Sequence, residues 1–193
     1  GVDPKGIISS LIDNIKAGHF LPEDIAVLNC REVDLDFHAR YSCKGKEYIY
    51  RIWNSNIRNP FLNKRALHYW YSLDETKLNE AAGYFLGSHD FSSFCTIDSR
   101  ERRNMVRTVT KSEVKREGNM VTFTVAADGF LYNMVRIMVG TLLRVAQGKL
   151  EPNDIPKIIR AKDRKSAGPT APPHGLYLNR VFYEDVNEDE SEG

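Results

Sequence analysis

An α+β sandwich built on a ferredoxin-like split βαββαβ unit is the fold class this sequence predicts. From residue 40 onward, the period of the apolar residues gives strand, helix, strand, strand, helix, strand, in that order. The two central strands form a hairpin around Glu117-Gly118-Asn119. The 193 residues, 41% hydrophobic and 27% charged, suit one compact unit, or one unit plus part of another.

The elements follow from local pattern. Asp3-Pro4 offers an N-cap and a first-turn proline, and Ile7, Ile8, Leu11, Ile12 and Ile15 continue at helical spacing to Gly18. A strand is expected near Ile25 to Val33. An extended aromatic segment, strand or hairpin, follows from Arg40 to Trp53 with Tyr41, Tyr48, Tyr50 and Ile52. Asn54 to Arg65 reads as a loop around Asn59-Pro60. Ser72-Leu73-Asp74-Glu75 has capping-box spacing, with Leu78, Ala82 and Phe85 carrying that helix to Gly87. Ser88 to Asn104 reads as irregular and ends in Arg100, Arg102 and Arg103. Val106 to Lys115 and Met120 to Ala127 form the hairpin. A helix opened by Phe130 runs through Met134, Ile137, Leu142 and Val145 to Gly148. A short helix spans Ile155 to Ala161, and the Gly168-to-Pro173 loop leads into a last strand, Leu176 to Tyr183.

The helix and strand ahead of residue 40 are extra to the six-element set. They read as the last αβ pair of a preceding unit, a hint that the chain is a fragment. The expected domains are therefore 1–39, 40–183 and an acidic, solvated tail at 184–193. That tail holds six acids and no base, so removing it takes the formal net charge from +1 to +7 on the body. A body that basic is compatible with a polyanionic partner. No apolar run approaches the ~18 residues of a membrane span and no signal peptide opens the chain. Cys30, Cys43 and Cys95, odd in number and unrelated in spacing, form neither a metal-ligand pattern nor a disulfide framework, which points to a reducing cytoplasm.

Arg136 is the residue with most to explain. It lies in the opening of an apolar helix, two residues after Met134 and just before Ile137 and Met138. An unpaired guanidinium beside such a stripe is costly, so it should hold an anion: a structural carboxylate, a catalytic carboxylate or a phosphate.

Several stations along the chain resemble one family in order and spacing. They are Leu21-Pro22-Glu23-Asp24-Ile25-Ala26-Val27, Phe37-His38-Ala39-Arg40-Tyr41-Ser42, Lys46-Glu47-Tyr48-Ile49-Tyr50 and His89-Asp90-Phe91-Ser92-Ser93-Phe94. Val106-Arg107-Thr108-Val109, Gly129-Phe130-Leu131-Tyr132-Asn133-Met134-Val135-Arg136 and Ala171-Pro172-Pro173-His174-Gly175-Leu176-Tyr177-Leu178 complete the series. The chain resembles the C-terminal two thirds of TruA-type tRNA pseudouridine synthases. The resemblance implies the C-terminal domain of that fold, and conversion of uridine to pseudouridine in the anticodon stem-loop of tRNA. It implies no cofactor and no metal, and a homodimer whose RNA crosses both subunits.

By the same resemblance Tyr48 matches the tyrosine that stacks on the target uracil, a candidate base for the C5 proton. Arg136 matches the arginine that pairs with the nucleophilic aspartate. Phe130, Leu131 and Leu176 are candidates for the walls around an extruded base, with ordinary core packing the alternative for Phe130 and Leu131. His89 and Asp90 are candidates for the pocket rim or RNA contact, the alternative being a satisfied histidine-carboxylate pair. Arg40, Lys44, Lys46, Arg65, Arg102, Arg103 and Arg107, with Arg58, Lys64 and Arg100, are candidates for a phosphate track. The family's aspartate lies in a Gly-Arg-Thr-Asp motif, and that order is absent here. Asp98 follows Thr96-Ile97, and Asp128 precedes Gly129 without the required context. The expectation is an enzyme part inactive alone. The alternatives are a self-sufficient, non-catalytic RNA-binding module on the same fold, or an α+β scaffold with no nucleic-acid role.

Overall fold

The computed structural model describes residues 13, 21–22, 24–28, 33–96 and 104–183. Two units divide the chain, 1–41 and 42–193. In the first, Ile25–Leu28 and Val33 are irregular where a strand was expected, with a turn closed by the Ile25 N–H on the Pro22 carbonyl. Asp13 is helical, and the rest of the expected first helix lies outside the described residues.

The second unit runs β1 (Gly45–Asn54), β2 (Leu67–Tyr69), α1 (Glu75–Gly83), β3 (Gly87–Asp90), β4 (Val106–Glu117), β5 (Met120–Ala127), α2 (Met134–Ala146), α3 (Ile155–Ala161) and β6 (Leu176–Phe182). Its sheet is ordered β2-β1-β5-β4-β3, and β6 pairs with β1 on the side that β2 also occupies. β1, β4, β5 and β6 are the four strands of the split unit. β5 lies antiparallel between β1 and β4, and β1 lies antiparallel between β5 and β6.

Alternation decides the faces. Tyr50 and Ile52 of β1 stand beside Phe123 and Val121 of β5, and all four are buried. Leu78, Ala81 and Ala82 of α1 and Ile137, Met138 and Leu142 of α2 join the same core. Each large side chain buried there contributes roughly 1.5–3 kcal/mol. The intervening residues of β1 (Glu47, Ile49, Arg51, Trp53) fall on the opposite side, as strand geometry requires.

Six expectations are corrected. β1 begins at Gly45, because residues 39–42 are turn and bend. The Asn54-to-Arg65 segment carries a 3-10 turn at Pro60–Leu62, and a third strand partner follows it: β2 lies parallel to β1, Trp53 beside His68. Asp74, and not Ser72, caps α1. Its carboxylate accepts from the Thr76 and Lys77 amides at 3.0 and 3.1 Å, leaving Ser72 outside the first turn. That helix stops at Gly83, short of Phe85. Part of the segment read as irregular is β3, which pairs with β4. Phe130 does not open α2: Asn133 adopts a left-handed conformation (φ 62°) and the helix starts at Met134. Asparagine tolerates that conformation better than most residues, so Tyr132-Asn133 form a turn and Phe130 and Leu131 lie in irregular backbone ahead of it.

Candidate active site

Tyr48 sits on β1 two residues before Tyr50, on the core side, between Val125 of β5 and Leu178 of β6. It is half-buried, and the Phe130 ring meets it edge-on, centroids 5.0 Å apart at 84°. Burial pushes the phenol up from its ordinary value near 10, and the Cys43 thiol adds to the shift. At neutral pH it is therefore a neutral phenol, suited to stacking and hydrogen bonding.

The turn before α2 aims Arg136. Its Nε donates to the Ala171 carbonyl at 2.7 Å, and one terminal nitrogen donates to Asn133 Oδ1 at 2.9 Å. The Ala171 amide returns a bond to the Arg136 carbonyl. Tyr50 donates to the next carbonyl, Pro172, at 2.7 Å. Burial lifts the Tyr50 phenol well above its ordinary range, with the Arg136 charge pulling the other way. The loop carrying these two carbonyls is itself pinned. Thr141 Oγ1 accepts from the Gly168 amide, Arg164 donates to the Gly168 carbonyl and to Thr170 Oγ1, and Gly140 lets the backbone at Pro169 touch α2.

Among the described residues every partner of the Arg136 guanidinium is a neutral acceptor. Among the described residues no carboxylate lies within 4.0 Å of it, and the first turn of α2 carries no acid. The positive end of the helix dipole adds to the guanidinium charge. Of the three anions open at the outset, the structural carboxylate is thus absent from the described residues. The turn is left with a held but unneutralised cation.

Phe130, Leu131 and Leu176 are half-buried and packed against the core. Leu178, opposite Tyr48, is 52% exposed and extends that apolar edge. His89 and Asp90 are not paired with each other. His89 Nε2 bonds the Leu86 carbonyl, while Asp90 accepts from Ser92 and from Lys162 Nζ at 2.9 Å. Burial works against the Asp90 carboxylate, but the Ser92 and Lys162 bonds outweigh it and hold its pKa below the ordinary range. β3 lies three strands from β1, about 14 Å at the usual inter-strand spacing. This pair is a loop clamp, away from Tyr48.

The basic residues also separate. Arg102 and Arg103, with Arg100, lie outside the described residues. Arg107 turns back onto the Asn104 and Val106 carbonyls and covers Gly129, so it is committed locally. Lys44 and Lys46 stand at the start of β1, Lys44 exposed and Lys46 half-exposed, and Arg65 is exposed with its carbonyl taken by Tyr177. Arg40 belongs to the first unit, stacked 6.0 Å from the Tyr41 ring centroid. Asp128 accepts from the Thr108 amide, and Asp98 is outside the described residues. Sequence reading missed Asn133, Tyr50 and Gly175. Asn133 was detectable as a left-handed-tolerant residue directly before the helix. Gly175 was not, since only the fold brings it against the Tyr50 ring, 2.8 Å from where a Cβ would sit.

Among the described residues no group of three or more His, Cys, Asp or Glu side chains could hold a metal ion, and no helix is long and apolar enough to cross a membrane. A family model described as tRNA pseudouridine synthase matches residues 81–184. The tRNA pseudouridine synthase A of Acetivibrio thermocellus is 50% identical over 163 residues, covering 84% of this chain and 66% of that protein. Its counterpart in Geobacillus kaustophilus is 49% identical over 165 residues, 86% of this chain and 64% of that protein. That of Bacillus pumilus is 47% identical over 165 residues, again 86% and 66%. The chain spans just under two thirds of the length of these relatives.

Proposed function

This chain belongs to the tRNA pseudouridine synthase family, and from that premise we propose that it supplies one side of the catalytic slot of an enzyme converting uridine to pseudouridine in the anticodon stem-loop of tRNA. The observation that carries the reading is the Arg136 guanidinium, aimed by neutral acceptors and lacking a carboxylate partner among the described residues. In the proposed reaction a carboxylate attacks the sugar or the base and the bond from C1′ to N1 breaks. The uracil then turns, a bond from C1′ to C5 forms, the bond from the carboxylate to the sugar or the base breaks and frees the carboxylate, and the C5 proton departs while N1 regains one. The nucleophilic carboxylate comes from a segment not among these 193 residues, since the Gly-Arg-Thr-Asp order is absent from them.

Arg136 keeps that carboxylate ionised and restricts its rotamers. Tyr48 stacks on the extruded uracil, with Phe130 and Leu176 beside it. A neutral phenol takes the C5 proton only by passing on its own, so the hydroxyl acts within the closed complex and not as a preformed phenolate. Lys44, Lys46 and Arg65 serve phosphate contacts, the enzyme works as a cytoplasmic homodimer, and it uses no cofactor.

The test is tritium release from tRNA labelled at C5 of uridine. The 193-residue chain alone is expected to release none, and release is expected once a Gly-Arg-Thr-Asp segment is joined to it. Robust release by the chain alone overturns the reading. In the joined enzyme, Tyr48→Phe keeps the stack and removes the proton-handling atom. It is expected to cost on the order of 10²–10⁴ in turnover while tRNA affinity is retained.

A further inference from the structure

A cleft of ≈ 530 Å³ lies on the opposite side of β1 from Tyr48. The loop after β1 folds back to form it, beside Trp53, His68 of β2 and His174 from the turn before β6. Trp53 follows Tyr48 by five residues, about 16 Å along a strand, and odd spacing turns its side chain to the other face. The cleft is thus distinct from the uracil slot. Its volume falls in the range of small-molecule sites.

Its lining is one-signed. Arg58 and Lys64 contribute full positive charges, His68 and His174 are titratable, and no Asp or Glu takes part. Neither the Arg58 nor the Lys64 side chain has a hydrogen bond or ion pair among the described residues. His68 Nε2 bonds the Ser55 carbonyl at 2.8 Å, so the proton sits on Nε2 and Nδ1 is the ring's other bonding atom. The apolar part is Trp53, Ile57, Pro60, Leu62 and Ala66. The Trp53 indole is fixed by its Nε1–H on the Ile57 carbonyl at 3.0 Å.

The walls are built before any ligand arrives. Asn59 caps the Pro60–Leu62 turn, the Arg65 and Ala66 amides bond the Leu62 carbonyl, and Tyr177 donates to the Arg65 carbonyl at 2.6 Å. Lys64 is held at φ 58°, a conformation a side chain adopts only at some cost, and this puts a cation into the lining. Nearby aromatic surface is exposed: Phe61 at 89%, Trp70 at 61%, with the Trp70 ring 5.9 Å from that of His68.

We propose that this cleft binds a 5′-phosphorylated nucleoside, its base against the Trp53 indole and its phosphate between Arg58 and Lys64. An indole face accepts any base, and paired cations select the phosphate. The nucleoside arrives either as an unpaired residue of an RNA strand or as a free mononucleotide. The inference stands apart from the uridine chemistry at Tyr48.

Isothermal calorimetry with AMP, adenosine, orthophosphate and a single-stranded RNA pentanucleotide tests it. AMP is expected to bind saturably, and more tightly than adenosine or orthophosphate. The Arg58→Ala/Lys64→Ala pair is expected to weaken AMP at least tenfold with an unchanged melting profile, and Trp53→Phe to weaken adenosine and AMP together. A pentanucleotide tighter than AMP identifies RNA as the source, and equal affinity identifies the free nucleotide. Absence of saturable AMP binding at millimolar concentration overturns the proposal. So does unchanged affinity in the double variant, or orthophosphate binding as tightly as AMP. Tritium release is read separately, so failure of the cleft and failure of the isomerase reading are told apart.

Discussion

Arg116 and Arg136 are both partly buried arginines of this fold, and their partners differ in charge. Arg116, near the end of β4, donates Nε to Glu75 at 2.9 Å, and its Nη2 donates both to Asn54 Oδ1 at 3.1 Å and to the Leu73 carbonyl at 2.7 Å. It joins the start of α1 to the end of β1, and its charge is answered locally. Arg136 makes bonds of similar length, but among the described residues its guanidinium has only an amide oxygen and a carbonyl as partners. The first arrangement is what a cation needs to hold a fold together. The second satisfies the donors, keeps the charge, and fixes the direction from which an anion can approach. On the proposed reading, a structural and a functional arginine are separated by whether a carboxylate stands among their partners.

The largest expected effect breaks this comparison most directly. In the enzyme carrying the joined Gly-Arg-Thr-Asp segment, Arg136→Ala should lower turnover on the order of 10²–10³-fold. Arg136→Lys should recover little, because a point charge cannot keep both neutral acceptors and a carboxylate. Tritium release reads both, and an equal loss from Arg116→Ala would erase the distinction. Next, Gly140→Ala should destabilise by about 3 kcal/mol or more, measured by urea unfolding. Its Cβ would fall 1.7 Å from the Pro169 carbonyl oxygen and push out the loop that positions Arg136. An unchanged urea midpoint would mean that the loop is not clamped against α2.

Arg116→Ala should cost about 2 kcal/mol in the same urea experiment, from the Leu73 and Asn54 bonds, with turnover per folded molecule unchanged. The smallest effect sharpens the comparison with a third charge. Glu47 is buried on the face away from the helices, bonded to Lys111 at 3.0 Å and Asn179 at 2.6 Å. Burial alone would raise its carboxyl, but those bonds and the Lys111 and Arg180 charges outweigh it and hold it below the ordinary 4.5. A depressed folded-state value stabilises above about pH 4.5, and that contribution fades as pH falls through the folded value. Glu47→Gln should therefore melt lower than the wild type at pH 7, with the gap closing in acid. A gap that does not narrow would show that the carboxylate charge is not what Lys111 and Asn179 hold.

How much could be read in advance depends on the range of each interaction. The β4–β5 hairpin, the α3 helix and the last strand were legible because turn residues and alternation act over a few positions. The cap of α1 slipped from Ser72 to Asp74 because two polar residues competed and only the helix start decides between them. β2 went unread: three residues pair in parallel with β1 after a loop, and no period can be measured over three residues. At the site, Tyr48 and Arg136 were reached through motif order, whereas Asn133, Tyr50 and Gly175 acquire their roles only through contacts across long sequence separations.

By itself the sequence determined the alternating faces of β1 and β5, the apolar stripe of α2 and the isolated cation at its start, since each is a consequence of residue type at fixed spacing. Tertiary structure alone decided what that cation meets. The carbonyls of Ala171 and Pro172 arrive from 35 and 122 residues away from the side chains that bind them. Pairings at such separations are set by which surfaces exclude water together, and no local pattern encodes them.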